Sequence, residues 1–348
     1  MTYWASRCFL VRRCRLLLLT QTRVPHTGHC HMGPLGLTTF FAPLSPWFSS
    51  IKKGLYIFLT PLYKFPIMLN LNKVGRPLAR IDGGKYNGHT VSVSDQFASQ
   101  QDRTDQGSVI AEFRQLKIAN DSKFQQVPDT TKEREILYIT GPSGSGKSTY
   151  TRKFLEQYKK KHKEHPIYLL SSLPSDESLD KIEPKRVRLD ESIHQDPIDV
   201  EELKNSVCIF DDIDVISDKK IREAVYNILN QVLEIGRHYK ITCVVTNHLP
   251  TNGKDTRRIL NEAHTITYFP HSAGGKIKYM LEEYVGLDKK QIAYLKKQNS
   301  RWATIFKNYP QVYMVERELG LLNVLDDDEQ EALQRQRPAT EEKKDQTV

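Results

Sequence analysis

The sequence predicts an α/β fold in which helices flank a parallel sheet. Strand-like and helix-like segments alternate between residues 133 and 270, the pattern of parallel strands joined by crossover helices. A glycine-rich stretch, GPSGSGKS at 141–148, separates an apolar strand from a helix, and an acidic pair ends the apolar run in SVCIFDDID. Because ligands bind at the carboxyl ends of parallel strands, both motifs should lie at one edge of the sheet.

The first 67 residues differ in composition from the rest of the chain. They contain eight Lys and Arg residues and no Asp or Glu, whereas the other 281 residues carry 43 basic and 42 acidic residues. The net charge of +9 therefore gives no indication of nucleic-acid binding by the folded part. This basic leader is either a targeting segment or a translated stretch upstream of Met68, and its prolines favour the second interpretation. Its apolar runs are shorter than the ~20 residues of a membrane span, so no span is expected.

Smaller β elements are predicted on both sides of the main domain. Residues 68–95 are predicted as a β-hairpin element, because strand-like ends flank Gly83-Gly84 and Asn87-Gly88. Residues 96–132 are polar and glutamine-rich and are predicted as a linker, with a short strand at most in FRQLKI. The main domain is expected at 133–322, and the tail 323–348 is expected to be disordered.

Five strands are predicted within the main domain, at 135–140, 166–171, 206–211, 241–246 and 264–269. Cys208 and Cys243 fall inside two of them, so a reducing compartment and no disulfide framework are expected. A helix at 218–236 carries a regularly spaced apolar face and ends at Gly236. Two short helices around Gly286 and two strands around residues 308–311 complete the predicted domain.

The stretch at 141–148 fits the phosphate-binding loop, or Walker A, pattern G-x-x-x-x-G-K-[ST]. Glycines let successive backbone N–H groups turn towards phosphate oxygens, and the following helix directs its positive end at the same anion. Lys147 would contact the β- and γ-phosphates, and Ser148 would ligate Mg²⁺. The predicted nucleotide-binding residues are Gly141, Pro142, Ser143, Gly144, Ser145, Gly146, Lys147, Ser148 and Thr149.

Polar residues end two of the other predicted strands. In SVCIFDDID, Asp211 is the predicted Walker B ligand of Mg²⁺, beside Ser148. Asp212 is the predicted general base that takes the proton of an attacking water, and Asp214 is its competitor. In EIGRHYKITCVVTNHLP, Asn247 is predicted to sense the γ-phosphate or orient water, because an amide both donates and accepts hydrogen bonds.

The order of these motifs resembles the additional-strand branch of P-loop NTPases, since a strand and a helix at 166–205 separate the loop from Walker B. Within that branch, GRHYKITCVVTNH looks like the FtsK–HerA pattern. Together with GPSGSGKS and FDD, it resembles the DNA-packaging ATPases of nucleocytoplasmic large DNA viruses over about residues 133–315. Such proteins usually carry Glu at the position of Asp212 and often Gln at that of Asn247, so the chain departs from the pattern at both.

This resemblance implies a motor that uses ATP and Mg²⁺ to move double-stranded DNA into a capsid. It implies a homo-oligomeric ring, a capsid or portal protein as a partner, and a location in the cytoplasm, the viral assembly site or the virion. Hydrolysis at a subunit boundary needs an arginine from the neighbouring subunit to stabilise developing charge. Arg237 is preferred for that role, ahead of Arg257 and Arg258.

Two other functions remain open. A small-molecule kinase can share GPSGSGKST, although the motif order argues against it, and an ATP-binding assembly or switch protein would hydrolyse ATP slowly without acting on DNA. The chain lacks the LSGGQ-like signature of an ABC ATPase and the N-K-x-D motif of a GTPase. Turnover stimulated by DNA separates a motor from a switch, and phosphorylation of an acceptor identifies a kinase.

Overall fold

The computed structural model describes residues 67–71, 73–94, 112–272 and 276–322, all within one compact unit, Leu62–Val348. The predicted basic leader lies outside these residues except for Ile67, and the predicted disordered tail at 323–348 lies wholly outside them. No helix in the described part of the chain is both long and apolar enough to cross a membrane.

The described residues contain fifteen strands and six α-helices. The strands are β1 Met68–Asn70, β2 Arg76–Asp82, β3 Thr90–Ser94, β4 Glu112–Phe113, β5 Gln115–Lys117, β6 Lys123–Gln126, β7 Ile136–Thr140, β8 Ile167–Ser171, β9 Lys185–Val187, β10 Val207–Asp211, β11 Thr242–Asn247, β12 Thr265–Tyr268, β13 Ala303–Phe306, β14 Val312–Val315 and β15 Glu318–Leu321. The helices are α1 Lys147–Lys161, α2 Ser192–Gln195, α3 Lys219–Ile235, α4 Gly253–Glu262, α5 Lys276–Met280 and α6 Lys289–Lys297.

A ten-stranded sheet forms the centre of the fold, in the order β5-β15-β14-β13-β12-β7-β11-β10-β8-β9. The six strands from β12 to β9 are parallel, and the four beyond β12 are antiparallel. All five predicted strands of the main domain are confirmed within one residue at each end. β7 and β10 are buried at every position, which explains why they read as continuous apolar runs.

Helices cover both faces of the parallel strands. α1 packs Phe154 and Leu155 against one face, where Ile139 and Val244 point. The other face carries α3, which begins at the capping side chain of Asp218. The predicted fold class, a P-loop NTPase with a parallel sheet between helices, is therefore confirmed, and the helix predicted at 218–236 is confirmed as α3.

A second, antiparallel sheet has the order β4-β1-β3-β2-β6. The hairpin predicted within 68–95 is present as β2 and β3, and β1 pairs with β3 beside it. The short strand predicted in FRQLKI is present as β5, whereas the prediction of a linker at 96–132 is wrong for β4 and β6. The small sheet shares a hydrophobic cluster with β13, β14 and β15, so it is packed onto the antiparallel half of the large sheet.

The segment after β12 largely follows the prediction. Two short helical stretches lie on either side of Gly286: α5 with a π-helical turn at Leu281–Val285, and then α6, which starts with a capping box at Asp288. The two strands predicted around 308–311 are β13 and β14. The prediction missed β15, which adds a third strand to this antiparallel group.

A buried acid lies at the edge of the sheet opposite the phosphate loop. Glu135 precedes β7, and burial raises the pKa of its carboxyl to about 8; the charge of Asp129 adds to the rise, while a backbone hydrogen bond at Asp129 opposes it. Lys132 and Arg76 also oppose the rise. Burial in low dielectric disfavours the charged form, so this carboxyl holds a proton at neutral pH.

Candidate active site

The predicted phosphate loop joins β7 to α1 at the carboxyl edge of the sheet. Gly144 and Gly146 have φ angles of 73° and 109°, in the left-handed region that glycine adopts without strain. A Cβ added at Gly141 would come within 2.7 Å of the ring of Phe269, so the loop also needs a glycine there for space. α1 has no side-chain cap and no acidic residue in its first turn, so its N-terminal N–H groups are suited to an anion.

Lys147 connects the loop to the acidic pair. Its Nζ donates a hydrogen bond to Gly141 O at 3.0 Å and lies 3.4 Å from Oδ1 of Asp212. Only 6% of the lysine side chain is exposed. A buried ammonium between the loop and a carboxylate provides a fixed positive charge where phosphate oxygens would bind.

Asp211 ends β10 and is almost completely buried. Its two carboxylate oxygens accept hydrogen bonds from uncharged donors: Oδ1 from Thr246 Oγ1 at 2.8 Å and Oδ2 from Ser171 Oγ at 3.1 Å. Burial raises the pKa of this carboxyl, Asp212 adds to the rise, and the two hydroxyls oppose it. The site therefore favours an additional positive charge beside Asp211.

Asp212 follows with φ 47° and ψ 42°, an uncommon left-handed conformation for a residue other than glycine. The backbone N–H of Asp212 donates to both Thr246 O at 3.1 Å and Thr246 Oγ1 at 2.9 Å, which holds this conformation in place. Strained backbone of this kind persists only where the surrounding structure supports it, and it occurs often at functional sites. The turn lets two successive carboxylates reach the same edge of the sheet.

Thr246, which the sequence analysis did not single out, lies between the two carboxylates. Its hydroxyl is 2.8 Å from Asp211 Oδ1 and 3.2 Å from Asp212 Oδ1. In the sheet register Thr246 is paired with both Asp211 and Ile139, and Ile139 belongs to the cluster packed under α1. The polar tip of β11 on the loop side of the sheet is therefore Thr246.

The side chain of Asn247 lies on the opposite face of the sheet. Its Nδ2 donates to the hydroxyl of Tyr138 at 3.4 Å, and its Oδ1 is buried without a hydrogen-bond partner among the described residues. The backbone carbonyl of Asn247 accepts from the N–H of Gly141 at 3.1 Å and so fixes the start of the loop. The structure thus brings the Asn247 backbone to the loop, while the predicted sensing role of its side chain stays a prediction.

His248 and Asp214 form a polar pair next to Asp212. The His248 N–H donates to Asp214 Oδ2 at 3.1 Å, and His248 Nδ1 lies 3.5 Å from Asp212 Oδ1 and 3.7 Å from Asp214 Oδ1. One ligand atom from each of the three residues lies within 4.8 Å of the others, so the group could also hold a metal ion. The Lys147 ammonium, already beside Asp212, competes with a cation there.

Oxygen donors at the carboxyl edge fit the predicted Mg²⁺. The predicted ligands are the Ser148 hydroxyl in the first turn of α1 and the Asp211 carboxylate at the end of β10, and Mg²⁺ prefers oxygen ligands. Among the described residues, the carboxylate accepts from the uncharged hydroxyls of Ser171 and Thr246. A cation would therefore stabilise a carboxylate that burial otherwise destabilises.

The three candidate arginines are exposed and differ in their contacts. Arg237 lies between α3 and the start of β11, at the edge of the sheet away from the loop. Six residues of extended strand span roughly 20 Å, so Arg237 cannot reach the loop of its own chain. Arg258 pairs with Glu234 at 2.8 Å, whereas Arg257 is an exposed residue of α4.

The chain has a close relative among known proteins. It is 40% identical over 245 residues to "Uncharacterized protein V3" of Sputnik virophage, which covers 70% of this chain and 94% of the relative. The chain belongs to the V3 family. No family model matches it.

Solved structures resemble the chain at low sequence identity and with TM-scores below 0.5. The genome packaging NTPase B204 of Sulfolobus turreted icosahedral virus 2, bound to AMPPCP, is 14% identical with a TM-score of 0.37, over 53% of this chain and 98% of that one. The cytoplasmic domain of the Thermomonospora curvata type VII secretion ATPase EccC is 10% identical with a TM-score of 0.40, over 62% of this chain and 29% of that one. The V3-family chain resembles these P-loop ATPases in fold alone.

Proposed function

We propose that this V3-family protein is a Mg²⁺-dependent ATPase whose hydrolysis powers packaging or translocation of double-stranded DNA in a virus. One observation carries the proposal: Lys147 Nζ lies 3.0 Å from Gly141 O and 3.4 Å from Asp212 Oδ1. This contact brings the phosphate-binding loop and the acidic pair together at the carboxyl edge of the sheet, as nucleotide hydrolysis requires.

Each residue of the site has a distinct task in this proposal. The loop N–H groups and the Lys147 ammonium bind the phosphates and hold them in place. The Asp212 carboxylate accepts the proton of the attacking water, and the Thr246 hydroxyl orients both carboxylates. When bound by Ser148 and Asp211, Mg²⁺ would neutralise charge on the phosphate oxygens.

Two side chains, His248 and Asp214, lie beside the proposed base Asp212. The His248 imidazole lies near both carboxylates, with Nδ1 3.5 Å from Asp212 Oδ1 and 3.7 Å from Asp214 Oδ1. Asp214 is more deeply buried than Asp212, with 5% against 17% of the side chain exposed. Asp212 is therefore the more accessible carboxylate for water and remains the proposed base.

The DNA-directed part of the proposal rests on the motif resemblance, together with the exposed Arg237 at the far edge of the sheet. Because Arg237 is too distant to act in its own chain, an activating role needs a second copy of the protein. A homo-oligomeric ring, with a capsid or portal protein as a partner, would supply that copy. The residues of the site fit ATP hydrolysis whether or not DNA is the cargo.

The decisive measurement is the ATPase rate of the full chain with Mg²⁺, in the presence and absence of double-stranded DNA. Lys147→Ala should abolish hydrolysis and weaken ATP binding, because the lost ammonium contacts the phosphates. Lys160→Ala removes an exposed lysine from the same helix and is the matched control. Turnover that Lys147→Ala leaves intact would contradict the site.

The same assay separates the alternatives. Hydrolysis stimulated by DNA supports a motor. Slow hydrolysis that DNA does not change supports an ATP-binding assembly or switch protein. Transfer of labelled phosphate to a small-molecule acceptor, in place of release to water, identifies a kinase.

A further inference from the structure

A cavity of about 340 Å³ opens beside the phosphate loop. The loop and the first turns of α1 form one wall, with Ser145 and Thr149. The small antiparallel sheet forms another through Gln125 of β6, and Trp302, just before β13, forms a third. Small-molecule sites typically have volumes of roughly 300–1,000 Å³, so the cavity is large enough for a nucleoside.

The cavity is continuous with the site for phosphates. Thr149 and Lys153, four positions apart, lie on the same face of α1, and both line the cavity. The Ser145 Oγ is buried and has no hydrogen-bond partner within the described ranges. A ligand whose phosphates occupy the loop would therefore extend along this face of α1 into the cavity.

The charges around the cavity favour an uncharged group. Its walls carry three basic and three acidic side chains: Lys123, Lys153, Arg301, Asp82, Asp121 and Glu316. Balanced charges of this kind give no net attraction for phosphate. Gln125 also lines the cavity, and an amide side chain can both donate to and accept from a polar ring edge.

The indole of Trp302 forms an aromatic wall of the cavity, and the ring of Tyr150 packs against it. The two rings meet edge-on, with centroids 5.1 Å apart. The Tyr150 hydroxyl is held by Gln126 Oε1 at 2.7 Å and Thr304 Oγ1 at 2.6 Å. A half-buried indole supported in this way is preorganised for stacking with a planar heterocycle.

We infer that this cavity binds the nucleobase and ribose of the nucleotide, with the base stacked on Trp302. The inference rests on the proposed nucleotide binding and assigns the base to a site built jointly by the small sheet, α1 and the β13 segment. Trp302 and Lys153 lie outside the phosphate loop and the acidic pair, so base binding and phosphate binding can be tested separately.

Calorimetric titration of the full chain with ADP and with inorganic tripolyphosphate, both with Mg²⁺, tests the inference. Trp302→Ala should raise the Kd for ADP by roughly tenfold or more, the effect of a lost stacking partner, and leave that for tripolyphosphate nearly unchanged. Trp302→Phe keeps an aromatic face and should bind ADP much like the unaltered protein. Tyr279→Ala, an exposed aromatic that does not line the cavity, is the control for surface effects.

A second variant keeps the test decisive if Trp302→Ala disturbs folding. Lys153→Trp places a large ring in the cavity from an exposed helix position and should block ADP but not tripolyphosphate, while Lys160→Trp, at an exposed position of α1 that does not line the cavity, should bind both. ADP binding that neither Lys153→Trp nor Trp302→Ala weakens would overturn the base site and leave the proposed ATPase function intact. If the unaltered protein binds neither ADP nor tripolyphosphate, both the base site and the proposed function fail.

Discussion

Replacing Thr246 with valine should slow ATP hydrolysis while preserving the shape of the side chain. The Thr246 hydroxyl donates to Asp211 Oδ1 at 2.8 Å and also lies 3.2 Å from Asp212 Oδ1. A methyl group in its place removes this donor from a buried carboxylate. The N–H of Asp212 keeps its bond to the Thr246 carbonyl at 3.1 Å, so the backbone turn should survive.

The size of the effect follows from the bond that is lost. A hydrogen bond to a charged group contributes about 1.5–3 kcal/mol. Since each 1.36 kcal/mol changes a rate tenfold, full loss at the transition state lowers turnover by roughly 10- to 100-fold. Part of the lost free energy should also appear as lower stability, because the Asp211 carboxylate stays buried and keeps the Ser171 hydroxyl as its one remaining hydroxyl donor among the described residues.

The assay compares turnover at saturating ATP and urea unfolding for Thr246→Val, Thr246→Ser and Thr151→Val. Serine keeps the hydroxyl and should retain most activity. Thr151 is fully buried in α1, and its hydroxyl has no hydrogen-bond partner in the described part of the chain, so its valine variant should be nearly neutral. Wild-type turnover in Thr246→Val would refute the proposed orientation of the carboxylates. An equal loss in Thr151→Val would show that the effect is not specific to the site.

Three further predictions concern the base, the arginine and the buried acid. Asp212→Asn should bind ATP but, in single-turnover assays, should lower the hydrolysis rate by roughly 100-fold or more, the scale of a lost general base. If Asp214→Asn has this defect and Asp212→Asn does not, the assignment of Asp212 as the base is wrong. Arg237→Ala and Lys147→Ala should each be inactive yet regain partial ATPase activity when mixed, whereas no recovery in confirmed mixed oligomers would count against Arg237. Because burial raises the folded-state pKa of Glu135 from 4.5 to about 8, the folded state binds more protons and its stability falls as pH rises through that range. Glu135→Gln should remove this decline in urea unfolding at pH 5 and 8, and an unchanged pH dependence would contradict it.

The central strands could be predicted because their signal is local. β7 and β10 are buried along their whole length, so each appears in the sequence as an uninterrupted apolar run between turn residues. β5 and β6 have only three and four residues, many of them polar, and their partners are distant in the chain. Such edge strands carry almost no periodicity, so the sequence indicated only a short strand in FRQLKI and placed β6 in a linker.

In the candidate site, too, local motifs could be predicted from the sequence, whereas residues brought together by the fold could not. The loop and the acidic pair are contiguous motifs, and the structure places Lys147 beside Asp212 as the motifs suggest. The choice between Thr246 and Asn247 depends on which face of β11 each side chain occupies, and alternation along a strand does not reveal which face is which. The sequence did not indicate Trp302 and Gln125, because only tertiary packing brings them to the cavity beside the loop.

The pairing of β5 with β15 has a consequence for how the chain acquires its structure. Gln115 and Glu318, which share a hydrogen bond across these strands, are 203 positions apart, so this edge of the large sheet cannot form until the last strand has been synthesised. Contacts between such distant positions slow folding, because the entropy of closing a long loop is lost before the contact stabilises the chain. The strands around the phosphate loop pair with partners that all precede residue 269, so their partners are synthesised well before β15, the partner of β5.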